Sequence, residues 1–351
     1  MDTSAAVREV SVYPDIEEKK AIRKRYFKAA LVMLVDVLIF QLVSRVMLLV
    51  LGAADGTGGS IGEMMTRGAV LVQKNDISSV MYSCGFPIIA EVVAIAMGAR
   101  MLGIDLWGKF RRNGYTGSEI IGGTAMSLFG QTASALIIGI ISMFFADKAQ
   151  EMTESVITAK SSFAANIIMY TYVCFLGPVL EELLFRGIVL ESMKKYNERF
   201  AVVFSALIFG LMHGNIPQAV NGFVVGIVLG AVYVRSGSLV PPCIIHIFMN
   251  TLTSLLSVMM YSDPELLDTL MAGSFGGLEG LALAGIMINL AVRFISVPAG
   301  IAIFIVVALK GFGVRKASAA GKSRSTSLVL SSPLWWVVIV IYFGICIYNF
   351  I

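Results

Sequence analysis

Charge is scarce in this chain. Of its 351 residues only 14% are Asp, Glu, Lys or Arg, against roughly 25% in a soluble domain. Hydrophobic residues make up 57%, where roughly 45–50% is usual. Those two figures exclude an ordinary soluble enzyme and a disordered chain. Cysteine is scarce as well. Cys84, Cys174, Cys243 and Cys346 stand far apart in apolar stretches with no paired spacing, which excludes a disulfide scaffold. The chain has only two histidines, His213 and His246. The first 25 residues are polar and charged, so no cleavable signal peptide is expected. The net charge of +4 would suit nucleic acid weakly, but the basic residues collect at the ends of apolar runs, and no nucleic-acid partner is expected. No internal repeat is visible.

Apolar runs take up what remains. About 200 hydrophobic positions, at about 20 per helical span, supply eight or nine spans. The runs are Tyr26–Leu51, Ser79–Ile104, Gly117–Ala146, Ser162–Arg186, Phe200–His213, Gln218–Val234, Leu239–Tyr261, Leu278–Leu309 and Leu334–Ile351. They predict an all-α, polytopic transmembrane helix bundle with nine crossings, eight being the alternative. The fifth run is short. The eighth is long, either tilted or broken near Pro298. With the amino terminus in the cytoplasm, inside segments hold 21 Lys and Arg and outside segments four, which supports that orientation. The acidic loop Asp263, Glu265, Asp268 then falls outside. Residues 1–25 read as a cytoplasmic polar tail and 26–351 as one membrane domain in the lipid bilayer. Gly52–Gly62 reads as a flexible outside loop and Lys316–Ser327 as a flexible cytoplasmic linker.

Ionisable groups within spans are costly and usually functional. Here they are Asp36, Arg45, Glu91, Glu181, Glu182, Arg186, His213, His246 and Arg293. Glu182 and Arg186 are four apart on one helical face, with the acid first, the better order for an ion pair. Glu181 is turned by about 100° and left free for chemistry. Phe209 lies four before His213, on its face, and Gly214 is placed to end that helix. His246 and Asn250 share a third face. Gly222, Gly226 and Gly230 repeat every four residues, which permits close helix packing. Asp36, Arg45, Glu91 and Arg293 are expected to pair with one another. Counting residues at 1.5 Å each leaves His213 roughly 10 Å deeper than Glu181.

The ordered set Glu181-Glu182-x-x-x-Arg186, Phe209-x-x-x-His213 and His246-x-x-x-Asn250, spread over about residues 162–261, resembles the CAAX-protease and bacteriocin-processing family of intramembrane endopeptidases, which includes the type II CAAX prenyl endopeptidases. The resemblance implies that Glu181 and His213 activate water, that His246 and Asn250 hold the oxyanion, and that Glu182, Arg186 and Phe209 support them. It implies a membrane-associated peptide or protein substrate, lipidated or not, reached from the cytoplasm. Such chemistry needs a base and oxyanion donors. Glu181, His213 and His246 also admit one zinc ion, leaving either that metal or no cofactor. The His-Glu-x-x-His and Gly-x-Gly-Asp signatures are absent. Gly58-Gly-Ser60-Ile-Gly62 reads as a chance match to a nucleophile elbow. The competing readings are a non-catalytic immunity or peptide-export factor on the same scaffold and a transporter using Asp36, Glu91 and Arg293, the latter disfavoured by the lack of a repeat.

Overall fold

Every regular element among the described residues is helical. The computed structural model describes residues 16–56, 58–111, 114–144, 162–262, 280–310, 328–329 and 331–350. The acidic loop at Asp263–Asp268, the linker Lys316–Ser327 and residues 1–15 of the polar tail lie outside them. The helices are α1 (Ile16–Ala54), α2 (Ile61–Lys74), α3 (Asp76–Leu102), α4 (Leu106–Arg111), α5 (Gly117–Phe144), α6 (163–194), α7 (Glu198–Met212), α8 (Ile216–Ser236), α9 (Val240–Ser262), α10 (Gly280–Lys310) and α11 (Pro333–Tyr348).

Within α1, α3, α5, α8 and α10 lie segments long and apolar enough to cross a membrane. The surface agrees. Leu38, Leu42, Val46 and Val50 form an exposed stripe along α1, and α10 exposes Met287, Leu290, Phe294 and Ile295. Water does not tolerate apolar faces of that size, whereas lipid does. The bundle is a polytopic membrane fold. The eighth run is one unbroken helix despite Pro298. The fifth is 15 residues long. The supposed loop Gly52–Gly62 is shorter than expected, because α1 runs to Ala54 and α2 begins at Ile61. Ser60 caps α2. Its hydroxyl accepts from the Glu63 N–H, and the Glu63 carboxylate accepts from the Ser60 N–H, a reciprocal capping box.

Among the described residues a small cluster of Val80, Cys84, Ala165 and Met169 and two larger cores hold the bundle. The larger joins α1, α3, α6, α7 and α11, with Tyr26, Met33, Phe185, Ile188, Phe204, Phe209 and Trp335 at its centre. The smaller joins α5, α8 and α9 through Leu128, Leu229, Ile245 and Met249. Helix α8 belongs to both, since Tyr233 packs in the first and Val225, Val228 and Val232 in the second. Beyond the apolar part of α6, Glu191 accepts from Lys109, Lys194 and the Tyr233 hydroxyl. Burial pushes its carboxyl up, but these bonds outweigh it and hold the group below its ordinary range.

Helices α3 and α6 each contain a wide π turn, Met81–Gly85 and Tyr172–Leu176. Both hold the residue four before a proline, Pro87 and Pro178. A proline ring clashes with the carbonyl four residues earlier and offers no N–H to it, so the turn opens. A second wide turn in α6 spans Leu183–Leu190.

The α7–α8 contact depends on glycine. A Cβ on Gly222 would stand 3.1 Å from the Gly210 Cα and 3.4 Å from the His213 ring, and one on Gly226 would stand 3.1 Å from Ala206 and Phe209. A Cβ on Gly210 would run into the backbone of Ala219 and Phe223, which no rotamer change relieves. Gly139 on α5 has nothing within 4 Å. Gly210→Ala is therefore expected to destabilise the protein by about 1–3 kcal/mol, and Gly139→Ala to leave it unchanged or raise it. Melting temperatures of the two purified variants in the same detergent check this.

Candidate active site

The site is built on α6, whose four-residue spacing brings Glu182 and Arg186 together inside the bundle. Both are 0% exposed, and Arg186 Nη1 donates to Glu182 Oε1 at 2.9 Å. Arg186 Nη2 donates to the Gly226 carbonyl of α8 at 3.2 Å, and its guanidinium lies 4.6 Å from the Phe209 ring centre. His246 of α9 completes the array, with Nδ1 2.9 Å from the same Glu182 Oε1. A carboxylate oxygen only accepts, so Nδ1 carries the proton. The other ring nitrogen, Nε2, stands 3.5 Å from Glu181 Oε2. One imidazole thus bridges two adjacent glutamates that point to different sides of α6.

Phe209 fixes the level of both histidines. Its ring meets that of His213 edge-on at 5.1 Å and that of His246 edge-on at 5.7 Å. The expected depth gap does not keep His213 from the acid pair, since Phe209 touches both histidines and His213 lines one cavity with Glu181. His213 ends α7, and its Nδ1 lies 2.9 Å from the Phe209 carbonyl. A carbonyl only accepts, so the neutral ring keeps a lone pair on Nε2. Gly214 then takes φ +70°, a left-handed turn that only glycine enters freely. Asn215 caps α8 by accepting from the Gln218 N–H at 2.9 Å.

Glu181 and His213 both line a cavity of about 1010 Å³ between α1, α3, α6 and α11. His246 and Asn250 do not border it. His246 lies behind Glu181, and the Asn250 amide donates to the Val173 carbonyl at 3.0 Å, inside the π turn that Pro178 opens. The expected single cavity lined by all four residues is therefore not what forms. Glu181 Oε2 is buried without a hydrogen-bond partner.

The remaining intramembrane charges do not pair as expected. Asp36 accepts from the Tyr342 hydroxyl at 3.2 Å. Arg293 reaches Asn289, Gln131 and Thr132 where α10 packs on α5. Sequence spacing had no access to these contacts across 306 and about 160 positions. It also missed the role of α11. Tyr342, Ile345 and Asn349 line the cavity, and Asn349 donates to the Gly214 carbonyl at 2.8 Å. The available signal was a tyrosine and an asparagine inside an otherwise apolar run.

The zinc reading meets a poorly suited donor set. Among the described residues no three His, Cys, Asp or Glu side chains are grouped as a metal ion requires. The imidazoles of His213 and His246 each meet Phe209 edge-on, and only His213 borders the cavity with Glu181.

Residues 163–252 match the family described as type II CAAX prenyl endopeptidase Rce1-like. The motif-bearing core is similar to that family. The Rce1-like segment carries all seven motif residues, from Glu181 to Asn250. The chain is also 28% identical over 132 residues, 37% of its own length, to the Bacillus subtilis (strain 168) protein named "Putative membrane peptidase YdiL". It spans about half, 52%, of that relative. No solved structure matches. With its apolar helices and its Rce1-like core, the chain is an integral membrane protein.

Removing one partner from the buried array leaves an uncompensated charge. Glu182→Gln is expected to cost about 3–5 kcal/mol by stranding Arg186. Combining it with Arg186→Met should restore part of the loss, as coupling between contacting residues requires. Thermal unfolding of the two single variants and the double variant measures that coupling.

Proposed function

We propose that the protein is an intramembrane endopeptidase that hydrolyses a peptide bond in a membrane-associated peptide or protein. The observation that carries this reading is the placement of Glu181 and His213 on one cavity wall, with Glu181 Oε2 free of any hydrogen bond and 3.5 Å from His246 Nε2. The Rce1-like match and the name of the bacterial relative support the same class of reaction.

In this reading a water enters between Glu181 and the Nε2 lone pair of His213. Glu181 takes its proton as the water oxygen attacks the scissile carbonyl carbon, and His213 orients it. His246, fixed by the Glu182 carboxylate, positions Glu181. When protonated at Nε2 it donates to the developing oxyanion once the substrate carbonyl reaches past Glu181, and the second N–H of Asn250 is the other donor. Glu181 then returns its proton to the leaving nitrogen. Glu182 and Arg186 never change partners. Their task is to hold α6, α8 and α9 in register. The cavity mouth is assigned to the cytoplasmic side on the distribution of basic residues.

Glu181→Gln keeps the shape of the side chain and removes the base. Turnover of a susceptible peptide by the purified variant should fall by at least about 10²-fold while its melting temperature stays near wild type. Cleavage at the wild-type rate would refute the assignment.

The orientation has its own test. A reporter fused after Arg324 should stay in the cytoplasm, and one inserted between Asp263 and Asp268 should be exported. The reverse pattern would put the mouth on the outer side.

A further inference from the structure

The cavity holds more acid than the hydrolysis uses. Asp36 of α1 and Glu91 of α3 line it together with Glu181. They are 5% and 4% exposed. Glu91 is close enough to both Asp36 and Glu181 to interact with them electrostatically. Each keeps one oxygen, Asp36 Oδ1 and Glu91 Oε2, buried without a hydrogen-bond partner. The one cation on the wall is Arg45, which is exposed. Three carboxyls and one exposed arginine on the wall leave the acids short of positive partners, and unsatisfied buried oxygens carry their full desolvation cost. Tyr342 donates to Asp36 Oδ2 at 3.2 Å, which orients the carboxyl with Oδ1 left over. A group that brings positive charge and several N–H donors satisfies both orphaned oxygens at once. At about 1010 Å³ the space exceeds what a small ligand needs and suits a stretch of peptide.

We propose that Asp36 and Glu91 form a subsite for an ammonium or guanidinium group of the substrate, placed beside the Glu181–His213 pair. The subsite rests on the reading of Glu181 and His213 as the groups that meet the scissile bond. It adds a chemical preference to that reaction: a positively charged group near the cleavage position. A lysine or arginine side chain and a free amino terminus both supply it.

The test uses the full chain in detergent and two sets of fluorescent peptides that differ only by Lys or Gln at successive positions. One set is cleavable. The other has an N-methylated backbone and reports binding without turnover. Each is made with a free and with an acetylated amino terminus. At one position the Lys peptide should bind at least about tenfold more tightly than the Gln peptide. If the preference survives acetylation, the charge comes from a side chain. If instead free peptides bind more tightly than acetylated ones while Lys and Gln bind alike, the charge is the terminal amine. In Asp36→Asn and Glu91→Gln the ratio should fall toward one. Arg45→Gln keeps both acids and removes the competing cation, so the ratio should rise. Because Arg45 is exposed, this variant still decides the matter if the acid variants fail to fold. Equal binding of all Lys, Gln, free and acetylated peptides by the wild type would overturn the subsite, as would a preference unmoved by any of the three substitutions. Binding preference without cleavage of any peptide would instead refute the protease reading and leave the cation subsite standing.

Discussion

A single wholly buried ion pair, Glu182 with Arg186, organises the rest of the molecule. Two charges far from water need hydrogen bonds in its place, and the partners come from three other helices, while Glu182 Oε2 and Arg186 Nε stay unpartnered. The Gly226 carbonyl takes one N–H from Arg186, so α8 must approach closely, which is why glycines line that contact. Phe209 lies against the guanidinium, so α7 is fixed at the same height. His246 shares the Glu182 oxygen, so α9 is tied to α6 and the second imidazole nitrogen is turned toward Glu181. The geometry of the Glu181–His213 pair follows from an interaction that takes no part in the proposed reaction.

What was legible in the residues follows the range of the interaction. Glu182 with Arg186 could be read because their contact is a matter of helical pitch, and the close-packed glycines and the turn at Gly214 were local too. Nine apolar runs correspond to nine of the helices. Helix α2 escaped because Glu63, Arg67 and Lys74 break up any apolar run there, although Ser60 with Glu63 is a capping box visible in the sequence. The partners of His246, Asn250 and Asp36, and Gln131 and Thr132 beside Arg293, were illegible, since each lies on a distant helix. Asn250 is instructive. Its partner is a backbone carbonyl freed by a wide turn, and no side-chain pattern advertises that. Pro178 was the local clue, being the residue that opens the turn.

The similarity to known proteins and the shape of the cavity divide the chain differently. The matched segment, 163–252, holds the paired glutamates, both histidines and Asn250. Much of the cavity wall comes from α1, α3 and α11, which lie outside it. The motif residues and much of the cavity wall therefore sit on different parts of the sequence.

The position of α11 along the chain has a consequence during synthesis. Tyr342, which closes the cavity against Asp36, follows Asn250 by 92 residues. At about 5–20 residues per second, that wall trails the last motif residue by roughly 5–20 s. For that interval the nascent chain carries both glutamates and both histidines in a bundle open along one side. Asn349 has yet to fasten the Gly214 turn, so the loop that ends in His213 is held by α7 and α8 alone. The enclosed site thus comes into being late, and its assembly waits on the arrival of a helix that carries none of the motifs.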